Sequence, residues 1–137
     1  MEQVGMAKAP LNHQAVIRSL IVNLSYTLDE AEYIALPEPN AADADPLTLI
    51  PDVIVFNRET EEPVVGFEVE KKGNYKAAIE KAKRLISRFY LIEVFVLAYV
   101  PEGNFDYEIS NVYRINKSGV DRETYSEALE IDVSDMY

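Results

Sequence analysis

Apolar residues first recur at helical spacing in Val16, Ile17, Leu20, Ile21, Leu24 and Leu28. With Asn12 as N-cap, this predicts a helix over 13–28 that buries one stripe, with Asp29-Glu30 as its polar exit. Tyr33-Ile34-Ala35-Leu36, closed by Pro37 and Pro39, predicts a strand, and the Ala-, Asp- and Pro-rich stretch 40–46 a loop. Two β-branched runs follow, near 49–57 and 63–71, joined by the acidic turn Asn57 to Glu62, which is the pattern of a β-hairpin. After Gly73-Asn74 the period returns to helical: Ala78, Ile79, Ala82, Leu85, Ile86 and Phe89 share one face of a helix over 75–90. Ile92 to Val100 is apolar apart from Glu93, as in a strand buried on both faces, and 107–115 returns as a half-alternating strand. Phe89, Tyr90, Phe95 and Tyr99 follow core spacing. In the acidic tail, Leu129, Ile131 and Val133 alternate as in an edge strand, or Asp121 caps a short helix.

A strand joined through a helix to a second apolar strand is a crossover, which makes those two strands parallel, whereas the hairpin strands are antiparallel. The expected fold class is therefore α/β: a mixed sheet flanked by helices, in the order α-β-β-β-α-β-β. The 137 residues suit one domain over 1–137, with 1–11 and 134–137 as flexible ends.

The acids within the hairpin change this picture. Side chains alternate across a strand, so Glu68, Glu70 and Lys72 are expected on one face and Phe67 and Val69 on the other. Asp52 opens the partner strand, where a twisted hairpin brings it near Glu68. Acids placed where a sheet should bury its side chains are costly unless something compensates them, and a divalent cation would. The plainer alternative is a solvated strand face paired with Lys71, Lys72 or Lys76.

Charge adds a second asymmetry. The formal net charge is −11, yet Lys71, Lys72, Lys76, Lys81, Lys83, Arg84 and Arg88 crowd beside the acidic pair, more than half of the 13 Lys and Arg residues. The overall balance argues against indiscriminate adhesion to nucleic acid or anionic lipid and leaves room for a local basic surface. With no Cys and the single His13, thiolate chemistry and a multi-His metal site are excluded. No run of about 18 uncharged apolar residues appears and the first residues lack a secretory pattern, so no membrane partner and a cytoplasmic location are expected.

Taken together, Pro51-Asp52-Val53 opening a strand, Glu68-Val69 in the next, the basic Lys81-Ala82-Lys83-Arg84 helix and the buried strand after it resemble the PD-(D/E)xK, or restriction endonuclease-like, superfamily. The chain is most similar to its subfamily of bacterial domains of uncharacterised activity, to which His13 and Leu129-Glu130-Ile131-Asp132-Val133 also correspond. The resemblance implies a metal-dependent endonuclease that hydrolyses DNA phosphodiesters. Asp52 and Glu68 would bind Mg²⁺ or Mn²⁺, with the Val69 carbonyl as third ligand. Glu70 would accept a proton or bind a second metal, Lys72 would orient the attacking water, and Lys76, Lys83, Arg84 and Arg88 would hold the nucleic-acid backbone. Two departures stand out: Glu70 occupies the place that usually carries Lys, and residues 13–28 hold no acid, leaving His13 or Gln14 as substitutes. The alternatives are an inactive nuclease-fold interaction module and a domain whose acidic tail recruits a basic partner. A domain this small would need a homodimer or larger assembly to grip a duplex.

Overall fold

The computed structural model describes residues 10–37, 50–89 and 91–137, with the side chain of Phe89 left out. The expected loop over 40–46, the first nine residues and Tyr90 lie outside them. The chain folds as an α/β domain in which α1 (Leu11–Thr27) and α2 (Tyr75–Phe89) flank a six-stranded mixed sheet. The strands are β1 (Tyr33–Pro37), β2 (Val53–Asn57), β3 (Pro63–Lys71), β4 (Glu93–Glu102), β5 (Asp106–Asn116) and β6 (Gly119–Asp121), in that spatial order. Only β3 and β4 run parallel, from Val65 opposite Glu93 to Lys71 opposite Tyr99, as the crossover through α2 requires.

Alternation on β3 divides the interior into two cores. Val65, Phe67 and Val69 face α1, where they meet Val16, Leu20 and Leu24 together with Phe95, Leu97 and Tyr99 of β4. Phe67 and Phe95 stack with their centroids 5.6 Å apart. On the opposite face, Ala78, Ala82, Leu85 and Ile86 of α2 cover Val94 and Val96. Gly66 leaves a close fit on this face, where a Cβ would lie 3.2 Å from Leu91 Cδ1 and 3.4 Å from Pro51, so that these side chains would have to give by a few tenths of an ångström. Its missing side chain lets Pro51 pack against the sheet and deliver Asp52 to the start of β2.

Three expectations are corrected. Asn12 is not the cap of α1: Pro10 occupies that position, and Asn12 lies inside the helix, 5% exposed, donating from Nδ2 to the Gly103 carbonyl at 3.2 Å. A proline costs nothing there, because the first helical N–H groups have no intrahelical acceptor. The tail adds no edge strand to the main sheet. Glu130 adopts a positive φ of 57° and turns the chain, so β7 (Tyr125–Ser126) pairs instead with β8 (Ile131–Asp132). Leu129, Val133 and Met136 are then buried in the α1-side core. Nor does Asp121 cap a helix, since it ends β6 and meets Arg114 Nη2 at 3.5 Å.

Glu93 explains how the tail is held. Buried at 1% exposure, its carboxylate accepts from Ser126 Oγ at 2.6 Å and from the backbone N–H groups of Glu127 at 3.0 Å and Ala128 at 3.4 Å. The acid that opens the apolar run of β4 is thus fully occupied as an internal staple.

Candidate functional site

The hairpin register sets Val53 opposite Phe67, which carries Asp52 to the level of Glu68 on the α2 face of the sheet. The two acids are tied reciprocally. The Asp52 N–H donates to Glu68 Oε1 at 3.2 Å, and the Val69 N–H donates to Asp52 Oδ2 at 2.8 Å. Each carboxylate is therefore oriented by the other acid's strand, and neither is a solvated surface group. Glu68 is 4% exposed.

Both helices reach this point. From the first turn of α1, His13 Nε2 lies 2.9 Å from the Val69 carbonyl and 3.6 Å from Asp52 Oδ2. A carbonyl only accepts, so Nε2 carries the proton. His13 Nδ1 is buried without a hydrogen-bond partner. From α2, Lys81 Nζ meets Glu68 Oε2 at 2.6 Å, with the lysine side chain 32% exposed. Helical side chains lean toward the N-terminus, and Ala77 and Ala78 leave room for that long side chain to cross to the sheet. His13, Asp52, Glu68, Glu70, Lys81 and Arg84 line a cleft of about 270 Å³.

Electrostatics mark Glu68 as the group under most stress. Burial, and after it the charge of Asp52, push its carboxyl up to about 8 against the opposing pull of Lys81. His13 is pulled down by burial, but the bond and charge of Asp52 and the Val69 carbonyl outweigh this and leave it raised. Tyr99, beneath the site, is raised by burial and then by the charges of Glu70 and Asp52.

The sequence-derived site residues thus separate. Asp52, Glu68 and Val69 come together, and Glu70 lines the same cleft, its Oε1 accepting from the Lys71 N–H at 3.2 Å. Lys72 does not continue the strand-face row: β3 ends at Lys71, and Lys72 is an exposed residue in the 3-10 turn Lys72–Asn74. The break at Gly73-Asn74 reaches one residue further back than alternation suggests. Of the four α2 residues expected to hold a nucleic-acid backbone, Arg84 lines the cleft, whereas Lys76, Lys83 and Arg88 are exposed elsewhere on the helix. Lys83 pairs with Glu80 at 3.1 Å.

Sequence reasoning assigned Lys81 no role of its own. The available signal was its place at the border of the apolar stripe, one turn after two alanines. His13, left open with Gln14 as a substitute for an acid on the first helix, lines the cleft and donates to the Val69 carbonyl.

For a hard cation the donor chemistry fits. Magnesium takes oxygen ligands, commonly one or two carboxylates with waters and substrate phosphate completing the sphere. Asp52 and Glu68 supply those two, and Glu68 already holds a cationic group in Lys81. Among the described residues no group of three or more His, Cys, Asp and Glu side chains converges as a metal-binding set. Water and substrate oxygens would therefore have to complete the shell. Among the same residues no helix is long and apolar enough to cross a membrane. Neither a protein-family model nor a curated protein matches the chain.

Proposed function

We propose that this is a metal-dependent nuclease domain of the restriction endonuclease-like kind, acting on the phosphodiesters of DNA. The observation that carries the reading is the tied pair of Asp52 and buried Glu68 with a lysine on it at 2.6 Å, in a cleft that also presents Arg84. A buried carboxyl such as that of Glu68, raised by desolvation and by the charge of Asp52, costs stability, and such groups concentrate at functional sites.

In this reading the site's lysine comes from α2 and not from β3. Asp52 and Glu68 would hold Mg²⁺ or Mn²⁺, and the chemistry a bound ion would supply there is neutralisation of charge on the phosphate and acidification of a water. Lys81 donates to a phosphate oxygen, and Glu70 takes the proton of the attacking water. Arg84 grips a neighbouring phosphate and positions the strand without reading its sequence. His13 keeps the end of β3 in place through the Val69 carbonyl, so that this carbonyl has one lone pair left for a ligand.

The test is Mg²⁺- or Mn²⁺-dependent nicking of plasmid DNA by wild type, Asp52→Ala and Glu68→Ala. Losses of at least ~100-fold in both variants are expected, the scale seen when a transition-state charge stabiliser is removed. Cleavage that survives both substitutions refutes the assignment. A second reading, an inactive interaction module that keeps the fold, is favoured by the absence of a three-acid set among the described residues. Metal binding without cleavage of duplex, single-stranded or RNA substrates would decide for it.

A further inference from the structure

The ion pair that supplies a lysine to the site also obstructs it. Lys81 Nζ sits 2.6 Å from Glu68 Oε2, on the same carboxylate that the proposed function assigns to a divalent cation. Two cations sharing one buried carboxylate repel strongly where water does not screen them.

Counting the cleft's charges shows what relieves that conflict. With neutral His13 and ionised acids, Asp52, Glu68 and Glu70 contribute −3 and Lys81 and Arg84 contribute +2, leaving −1. A divalent ion alone raises the balance to +1. A phosphodiester, which carries one negative charge, returns it to zero and offers Lys81 a new acceptor. Partly exposed, the lysine side chain has a route out of the ion pair.

We infer that Lys81 is a resident counter-cation that couples the two ligands of the cleft: a divalent ion binds well only together with a phosphodiester, whose oxygen takes the ammonium released from Glu68. This deepens the nuclease reading and rests on it. The consequence is an order of assembly in which the free protein carries little metal and the substrate completes the metal site.

Removing the lysine inverts the arithmetic. In Lys81→Met the cleft starts at −2 and a divalent ion alone neutralises it. The experiment is a Mn²⁺ titration followed by the electron paramagnetic resonance signal of free Mn²⁺, at one fixed pH for every variant. It is run with and without saturating dimethyl phosphate, the smallest stable phosphodiester.

Wild type should bind Mn²⁺ about tenfold more tightly with dimethyl phosphate than without it, within the usual range of coupling between two ligands. Without phosphate, Lys81→Met should bind Mn²⁺ about tenfold more tightly than wild type, and the phosphate enhancement should vanish. Lys81→Arg, which keeps the charge, should retain the enhancement, and it decides the matter if Lys81→Met does not fold. A merely structural lysine would weaken metal binding when removed and would not move the coupling.

Equal Mn²⁺ affinity in wild type and Lys81→Met, or the same enhancement in both, overturns the inference. If binding is still lost in Asp52→Ala and Glu68→Gln, the nuclease reading survives that result. Failure of wild type and Lys81→Met to bind Mn²⁺ under either condition overturns both.

Discussion

Glu68→Gln tests whether the candidate site is held at the expense of stability. In the folded protein burial and Asp52 push the Glu68 carboxyl to about 8, against 4.5 for an ordinary glutamate. Below pH 4.5 the group is protonated in both folded and unfolded chains and has no effect on their balance. As pH rises from 4.5 to about 8, the unfolded chain releases the proton while the folded one retains it, so wild type loses stability progressively. Above that range the penalty is complete and constant. At ~1.4 kcal/mol per pH unit, the integrated cost over this window is about 4–5 kcal/mol.

Glutamine keeps the shape and has no proton to lose; its single oxygen accepts from only one of the Asp52 N–H and Lys81 Nζ and its NH2 faces the other donor, a cost that does not change with pH. Urea denaturation of both proteins across this pH range should show the advantage of Glu68→Gln growing with pH, by up to about 4 kcal/mol, and flattening above 8. Metal binding by the same variant should be lost. Parallel stability profiles for the two proteins would refute the reasoning, because they would mean that Glu68 ionises as easily in the fold as outside it.

Two further outcomes follow from other parts of the molecule. Glu93→Ala should cost about 3–4 kcal/mol, because it strands the buried Ser126 hydroxyl and the Glu127 N–H and loosens the tail, and thermal unfolding would report it. A loss below about 1 kcal/mol would show that the tail is held by Leu129, Val133 and Met136 alone. His13→Leu should destabilise more at low pH than at high pH. The raised His13 pKa contributes stability that is fully present below 6.5 and disappears as pH rises through the folded value. Equal losses measured by chemical denaturation at pH 5.5 and pH 9, roughly either side of that transition, would contradict it.

Much of the architecture was legible in local pattern. The α1 stripe through Val16, Leu20 and Leu24, the hairpin around Asn57 to Glu62 and the parallel crossover through α2 all follow from periodicity and connection rules. So does the division of β3 into an apolar face and an acidic face, because alternation across a strand is a covalent consequence of the backbone. The tail was not legible, since its alternation of Leu129, Ile131 and Val133 is broken by the positive φ at Glu130, and its partner Glu93 lies in a distant strand.

The same division runs through the candidate site. Its sequence alone determined that Asp52 and Glu68 share a hairpin and therefore a level of the sheet, because register is a short-range property of two strands and their turn. Only the tertiary structure decided which cation meets them. Lys72, two residues beyond Glu70, is carried off by the turn after β3, whereas Lys81, thirteen positions after Glu68, reaches back from α2 to within 2.6 Å. The packing angle of a helix on a sheet sets that meeting; along the chain, the border position of Lys81 one turn after Ala77 and Ala78 shows only that the side chain has room to reach the sheet.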